Sequence, residues 1–242
     1  MTASSFKIQK GHSGSALRQY QDLVVGSRSL WFLFKFELIT LLFGGISGAL
    51  GLLLRKWTYP WILGKVGKGV VFGHHITLRH PQKIEIGEGS IIDDYVLLDA
   101  KGIQNKGIQI GENVFIGRQC IIYCKDGNIV LENRVNLGHR TILFSSNQLC
   151  LGQGALLAAD CYCMSGGSYD YESPVKFVDQ EGTLTHGPLS IGANVWLGAK
   201  VVVLDGASIG SGSVIGAGSV VTQSIPEKSV AVGVPAKVVK SL

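Results

Sequence analysis

Two histidines in the second half of the chain carry side chains that could accept a proton in a group-transfer reaction. His186 lies in the segment THGPLSIG, and His139 lies in LGHRTILF. An imidazole changes charge close to neutral pH, so either ring suits a general base. Asp170 and Glu172 lie in the segment DYE and could orient such a histidine or bind substrate hydroxyl groups. All four residues also have a simpler interpretation as solvent-exposed side chains of loops and corners.

The composition excludes other kinds of site. The chain has 242 residues, a net charge of +5 and only 16% charged residues. It has no run of Lys or Arg, so nucleic-acid binding is not expected. The five cysteines form no C-x-x-C pair, which favours free thiols in a reducing compartment over a disulfide framework.

The elements that position these residues follow from a repeat that begins near residue 66. Apolar residues recur every six positions, most regularly at Ile191, Leu197, Val203, Ile209, Ile215 and Val221. The next residue is Gly in 11 of 14 first and second hexads but in none of the third hexads, so the unit has 18 residues and three different faces. Such a unit predicts a triangular parallel β-helix of about seven coils over residues 66–226. Small residues, including Cys120 and Cys161, fall at positions that face its core.

Insertions in the repeat all follow third hexads. The largest covers residues 169–190 and contains His186, Asp170 and Glu172. Every loop is therefore expected to leave the β-helix at one edge, and residues 227–242 are expected to form a tail. We further expect the leader to cover one end of the β-helix and the chain after Ile225 to cover the other, because open ends invite edge pairing.

The segment IGANVWLGAKVVVLDGASIGSGSVIGAGSVVTQSIPEKSVAVGVPAKVV closely resembles the hexapeptide-repeat acyltransferases. The resemblance implies a left-handed β-helix, a homotrimer, and acetyl-CoA bound between subunits. Residues 72–102, together with the apolar leader, also resemble membrane-associated members of this family found near polysaccharide-assembly enzymes.

The same resemblance implies which residues would line a groove for the coenzyme. The matching positions are Trp196, Gly198, Ala199, Ala217, Thr222 and Lys240. Gly and Ala could instead serve corner geometry alone. Gln223 replaces the Lys of galactoside-type enzymes, which removes one expected phosphate contact. The family's catalytic histidine corresponds to Ser168 or Tyr169, and Tyr169 joins His186 and His139 as a candidate base although a phenol with a pKa of about 10 is a poor one.

The first 65 residues form a leader of different character. Residues 38–54 are 17 uncharged residues, at the short limit for crossing a membrane, and basic residues flank them on both sides. Trp31, Trp57, Tyr59 and Trp61 are placed as interface anchors would be. This pattern predicts helices that lie on or dip into the cytoplasmic face of a membrane. The alternative is a soluble helical subdomain packed on the rest of the chain or on a partner.

The resemblance implies an O-acetyltransferase that uses acetyl-CoA and acts on a sugar hydroxyl of a glycan, and the apolar leader suggests a lipid-linked glycan precursor; an amino-sugar acceptor stays open. Two alternatives remain. The first is a β-helix without activity that serves as an assembly platform. The second is a metal enzyme resembling the γ-class carbonic anhydrases, for which His75 and His80 would be half of the ligand set. Since the next histidine is His139, three coils away, no metal is expected.

Overall fold

The computed structural model describes residues 15–180 and 184–242. Residues 1–14 of the expected leader and residues 181–183 of the expected loop lie outside this range. The leader contains α1 (Ala16–Tyr20), a π-helical turn (Gln21–Val25), α2 (Leu30–Phe43), α3 (Gly48–Thr58) and a 3-10 turn (Tyr59–Trp61). Two further 3-10 turns cover Pro81–Lys83 and Phe177–Asp179.

The rest of the described chain forms three sheets whose neighbouring strands come from successive coils. Sheet A consists of β1 (Lys65–Val66), β4 (Ile84–Ile86), β7 (Ile108–Ile110), β10 (Asn128–Leu131), β13 (Gln148–Leu151), β16 (Leu189–Ile191) and β19 (Ser208–Ile209). Sheet B consists of β2 (Val71–Phe72), β5 (Ile91–Ile92), β8 (Phe115–Ile116), β11 (Asn136–Leu137), β14 (Leu156–Leu157), β17 (Trp196–Leu197), β20 (Val214–Ile215), β22 (Ser229–Val232) and β23 (Lys237–Ser241). Sheet C consists of β3 (Thr77–Arg79), β6 (Leu97–Asp99), β9 (Ile121–Cys124), β12 (Ile142–Ser145), β15 (Tyr162–Ser165), β18 (Val202–Val203) and β21 (Val220–Val221).

This is the predicted left-handed parallel β-helix, and the hexad residues form its core. All strands pair in parallel with the coil above and below, except β23, which runs antiparallel to β22. Each hexad position predicted to point inward is buried apart from Val66, which is half-buried beside the leader. The period of six thus determines both the sheet assignment and the direction of the side chains.

The β-helix has part of an eighth coil beyond the seven coils that the sequence predicts. Ile225 bridges Ile209, and β22 adds to sheet B beside β20. Residues 226–228 read Pro-Glu-Lys and interrupt the hexad pattern, so the sequence period ends before the backbone ladder does. The antiparallel strand β23 then pairs with β22 and covers the edge that this last coil would leave open.

Two edges of the triangular β-helix differ in the length of their turns. We call the turn from sheet B to sheet C the groove edge and the passage from sheet C to sheet A the loop edge. As predicted, the long insertions leave at the loop edge, the largest of them between Ser165 and Leu189. The groove edge is made of tight turns of nearly constant length and carries no insertion.

The leader covers the first coil, as expected. Phe32, Phe36, Ile39 and Tyr59 are buried, and the Tyr59 ring packs 5.2 Å from the ring of Phe72 in β2. Arg55 of α3 is fully buried and donates to three backbone oxygens, those of Phe43 (3.0 Å), Ile46 (2.6 Å) and Phe72 (3.0 Å). These bonds link the end of α2, the turn after it and the first coil. Burial lowers the pKa of Arg55, and the three carbonyl groups stabilise its charged guanidinium.

The outer side of the leader is apolar as well. Large exposed side chains occupy positions Leu30, Trp31, Phe34, Leu38, Leu41, Leu42, Leu50, Leu53, Trp57 and Trp61. Since Phe32, Phe36 and Ile39 are buried on the opposite side of α2, this helix has large apolar side chains on both sides. Within residues 15–180 and 184–242, no helix has both the length and the apolar character needed to cross a membrane.

The cysteines are structural. All five are free, and Cys120 and Cys161 are buried in the core as predicted. Burial raises the pKa of the Cys120 thiol to about 11, so this sulfur stays protonated at neutral pH.

Candidate functional site

The groove edge aligns one residue from each coil in a column, which we call the corner ladder. Backbone bonds hold it in register, with the amides of Gly218, Lys200 and Asp160 donating to the carbonyl groups one coil below at 2.8–3.0 Å. From the first coil to the seventh, its members are His74, Asp94, Arg118, His139, Ala159, Ala199 and Ala217. The lower part is therefore polar and the upper part has only methyl groups. The bare part is two coil spacings tall, about 10 Å.

Four of the predicted coenzyme residues meet at this bare stretch. Ala199 and Ala217 form its surface, and Trp196 is half-exposed on the adjoining face of sheet B. Gly198 is buried, and a Cβ placed on it would lie 2.6 Å from the amide nitrogen of Ala217. Glycine is thus required there so that the two coils can stack directly on each other.

Two other predicted coenzyme residues lie elsewhere. Lys240 lies in β23, where it pairs with Val230 on the extension of sheet B. Thr222 follows β21 and therefore lies across sheet C from the alanines, at the loop edge. In a single copy of the chain, Thr222 and the bare stretch thus belong to different edges.

His139 closes the lower end of the bare stretch. It is exposed, and its Nδ1 accepts a hydrogen bond of 3.1 Å from the amide of Arg118 one coil below. An amide nitrogen can only donate, so the lone pair of Nδ1 is occupied and the neutral ring carries its proton on Nε2. In this geometry His139 offers a hydrogen-bond donor to a ligand in the groove.

His186 lies at the loop edge and has a different arrangement. Its Nδ1 is 3.3 Å from Oδ2 of Asp205, which also accepts from the His186 amide. The other oxygen of Asp205 accepts from the Gly166 amide at 2.5 Å and from Thr185 Oγ1 at 3.2 Å. The Asp205 side chain is only 4% exposed, whereas that of His186 is 70% exposed. A buried carboxylate at Nδ1 leaves the lone pair of Nε2 facing solvent, which is the arrangement of a histidine base.

Asp205 was missed by the sequence analysis. It follows the third hexad of the sixth coil in the segment LDG, where the repeat has no insertion. Parallel stacking places this corner directly above the two ends of the large loop, so a carboxylate here holds both Gly166 and His186. The sequence feature that could have identified Asp205 is an acidic residue at a loop-edge corner one coil after the longest insertion.

The large loop carries the remaining candidates. Ser168 and Leu184 form an antiparallel bridge at its root, which brings Tyr169 and His186 to the same part of the molecule. The Tyr169 ring packs 6.1 Å from that of Phe177. Asp170 contributes to a cavity of about 320 Å³, and its carboxylate accepts from the amide of the exposed Glu172 at 3.0 Å. Backbone-to-side-chain bonds between Asp170 and Gln180 hold the cavity wall.

A second His–Asp pair, which the sequence analysis did not single out, lies at the foot of the corner ladder. His74 Nδ1 is 2.7 Å from Oδ1 of Asp94, and the His74 amide donates to the same oxygen at 2.9 Å. Burial by itself would raise the pKa of Asp94, but these bonds outweigh it and lower the pKa. The pair lies three coils below His139, about 14 Å away along the axis.

The two histidines considered as metal ligands do not converge. His75 lies at the groove edge, stacked on Tyr95, whereas His80 lies at the loop edge of the same coil. Across the described ranges 15–180 and 184–242, no group of three or more His, Cys, Asp or Glu side chains could hold a metal ion.

Sequence comparison agrees with the repeat. Residues 188–223 match the family model "Bacterial transferase hexapeptide (six repeats)". A putative lipopolysaccharide biosynthesis O-acetyl transferase, WbbJ of Escherichia coli K12, is 34% identical over 146 residues, which are 57% of this chain and 74% of that protein. A probable acetyltransferase of Mycobacterium tuberculosis is 36% identical over 136 residues, 55% of this chain and 44% of that protein. A putative acetyltransferase of Staphylococcus aureus MRSA252 is 38% identical over 108 residues, 38% of this chain and 54% of that protein. The chain thus spans about half the length of these last two relatives.

Solved structures show the same fold. The polysialic acid O-acetyltransferase OatWY matches with a TM-score of 0.58 at 18% identity, over 74% of this chain and 86% of that one. A point mutant of AntD, an N-acyltransferase of Bacillus cereus solved with dTDP-4-amino-4,6-dideoxyglucose and coenzyme A, matches with a TM-score of 0.55 at 19% identity, over 74% of this chain and 83% of that one. At such identities the likeness concerns the fold.

Proposed function

Because the chain belongs to the bacterial hexapeptide-repeat transferases, we propose that it transfers an acetyl group from acetyl-CoA to a sugar hydroxyl of a glycan or glycan precursor. The observation that carries this proposal is the bare stretch of the corner ladder, closed below by an imidazole donor. A pantetheine arm needs a narrow groove with accessible backbone, and Ala159, Ala199 and Ala217 leave one open. The relatives acting on sugars support the acceptor class.

The proposed reaction uses two histidines in different roles. A sugar hydroxyl oxygen attacks the thioester carbonyl, a C–O bond forms, and the C–S bond breaks. The hydroxyl proton passes to Nε2 of His186 and from there to the departing thiolate of coenzyme A. Asp205 keeps the proton of His186 on Nδ1, and Nε2 of His139 donates to the oxygen that becomes negative.

The separation of these residues supports a homotrimer. His139 and the alanines are at the groove edge, while His186 is at the loop edge, so one copy does not bring them together. The outward positions of sheet C, which separates the two edges, are apolar in six coils, namely Leu97, Ile121, Ile142, Tyr162, Val202 and Val220. Packing between copies would cover this face and complete the site with His186 from a neighbour.

Substitution of Ala199 by tryptophan tests the groove. The indole would fill the bare stretch, and we expect the Kd for coenzyme A, measured by calorimetry, to rise at least tenfold. Ala193→Trp is the matched control, since Ala193 lies at the turn from sheet A to sheet B of the same coil. Equal affinities of the two variants would place the coenzyme elsewhere. If the unmodified chain binds no coenzyme A at millimolar concentration, the remaining interpretation is a β-helix without activity that serves as an assembly platform.

The acceptor atom is tested separately from the groove. Acetyl transfer to a panel of sugars and their amino derivatives distinguishes O-acetylation from N-acetylation. The proposal predicts that sugars whose only acceptor groups are hydroxyl groups are acetylated. A chain that acetylates amino sugars alone would be an N-acyltransferase.

We also propose that the leader binds the cytoplasmic face of a membrane as a peripheral or monotopic anchor. Trp31 is 72% exposed and Leu41 is 80% exposed, and basic residues, Arg28, Lys56 and Lys68 among them, flank the apolar segment in the sequence. Apolar side chains with flanking cations suit an interface that contains anionic lipids.

The double substitution Trp31→Glu and Leu41→Glu should lower the fraction of protein that floats with phosphatidylglycerol vesicles at least tenfold. Both changes remove apolar surface that would insert between lipids and add charge to it. Val178→Glu is the control, because Val178 is 87% exposed but lies in the large loop. Unchanged flotation of the double variant would favour a leader that packs on a partner protein.

A further inference from the structure

The lower half of the groove edge carries polar and aromatic side chains in two parallel columns. We call this surface the lower rim and define it as residues 74–75, 93–95, 118–119 and 139–140. One column is the lower part of the corner ladder, and the other consists of the next residue of each turn, namely His75, Tyr95, Gln119 and Arg140. The lower rim continues directly into the bare stretch, because His139 belongs to both.

Backbone hydrogen bonds keep the second column in line from coil to coil. The amides of Tyr95, Gln119 and Arg140 donate to carbonyl groups one coil below at 2.9, 3.1 and 2.9 Å. Each turn of the lower rim therefore presents its side chains directly above those of the turn before it, one coil spacing away.

The ring of Tyr95 is a supported aromatic surface in this column. Its side chain is among the exposed ones, at 52%. The ring stacks on that of His75, with centroids 5.3 Å apart and planes inclined by 15°, and it meets the His74 ring edge-on at 4.9 Å. The His75 amide in turn donates to the carbonyl of Gly44 in the leader at 2.8 Å. A phenol ring held in this way loses little side-chain entropy when it packs against the apolar face of a sugar.

The charges of the groove edge balance. Its turns contain three acidic and three basic residues, namely Asp93, Asp94, Arg118, Arg140, Asp160 and Lys200. Arg118 pairs with Asp93 at 3.2 Å, and Arg140 pairs with Asp160 at 2.7 Å. Because neither sign is in excess, this edge favours a neutral ligand that is rich in hydroxyl groups over a phosphate.

Several groups of the lower rim can still bond to such a ligand. Arg118 contacts Asp93 through Nε, and its side chain is 65% exposed, so its terminal N–H groups can donate to a ligand. Gln119 is exposed and offers both an amide donor and an amide acceptor. His74 uses Nδ1 for Asp94, which leaves the lone pair of Nε2. Sugar hydroxyl groups both donate and accept, so they suit this mixed set.

We propose that the lower rim binds several sugar units of an oligosaccharide acceptor, with the unit to be acetylated beside His139. One pyranose unit spans about one coil spacing, or about 5 Å, so successive units would lie over successive coils. Tyr95 lies two coils below His139, about 10 Å away along the axis, which places its stacked sugar two units from the acetylated one. This inference rests on the proposed acetylation of sugars and narrows the acceptor to a chain of at least three units.

Calorimetry with the full chain and without acetyl-CoA tests the proposal. The probes are oligosaccharides of one to five units made of glucose, galactose, rhamnose or N-acetylglucosamine. In at least one series the affinity should rise at least tenfold between one and three units and level off at four or five. No binding in any series, or affinities that do not depend on length, would overturn the proposal.

Tyr95→Asn should weaken trisaccharide binding at least fivefold and leave monosaccharide binding unchanged. Asparagine is chosen because Tyr95 has a φ of +59°, a left-handed conformation that asparagine adopts readily. Arg134→Asn is the control, since Arg134 has a φ of +62°, is exposed and lies at the turn from sheet A to sheet B. Equal trisaccharide affinities of the two variants would contradict a site at the lower rim. Gln119→Ala, with an expected threefold loss, keeps the test decisive if Tyr95→Asn does not fold.

Kinetics separate this inference from the proposed function. Acetyl transfer to a monosaccharide with the same kcat/KM as to its trisaccharide would keep the O-acetyltransferase and reject the extended site. Binding that depends on length and on Tyr95, without any acetyl transfer, would support glycan binding at the lower rim while the proposed reaction fails.

Discussion

Replacing His186 with alanine should lower kcat for acetyl transfer by about 10²–10⁴-fold and leave the Kd for coenzyme A unchanged. The loss is expected because Nε2 of His186 has a free lone pair, while its Nδ1 faces the buried carboxylate of Asp205. Steady-state kinetics with saturating sugar, together with calorimetry for the coenzyme, separates the two quantities.

Asp205→Asn should reduce kcat less than His186→Ala and change its pH profile, because the amide no longer favours the proton on Nδ1. Arg134→Asn is the control, since this exposed side chain lies at the turn from sheet A to sheet B of the fourth coil. An active His186→Ala variant would transfer the role of base to Tyr169 or to another group of the loop.

The fold could be predicted because the hexad period acts on every residue of the β-helix. An inward position such as Leu197 or Ile215 must be apolar whatever its neighbours are. The glycine that follows it indicates a corner of the β-helix. The partial eighth coil was missed since residues 226–228 lack the pattern, although Ile225 and Ala231 are still buried. Local pattern thus predicts core and corners well and predicts the ends of the ladder poorly.

The site was predictable only in part, for a physical reason. Corner residues such as Ala199 are placed by coil counting, so the groove follows from the sequence. Asp205 contacts His186 only because of the path of the large loop, which no sequence period describes. The role proposed for His139 depends on the hydrogen bond from the Arg118 amide to its Nδ1. Residue spacing carries no information about the orientation of this ring.

A mixture of two inactive variants provides the second major test. Ala199→Trp should weaken coenzyme binding, and His186→Ala should remove the base; at a coenzyme concentration that just saturates the unmodified protein, each should have little activity alone. If each site combines the groove edge of one copy with the loop edge of another, co-assembly of the two variants restores some intact sites. In a closed trimer that contains both variants, one of the three sites has both parts intact, so activity should return to about a third of that of the unmodified protein.

The same mixture distinguishes a shared site from a site within one chain. In the second case every copy carries one defect, and mixing restores nothing. Co-expression of the two variants with different affinity tags, purification over both tags and measurement of acetyl transfer give the result directly. A co-expressed pair of His186→Ala chains with different tags is the control, since no combination of its subunits contains a base. Full inactivity of the mixed assembly would place groove and base within one copy and contradict a site completed by a neighbour.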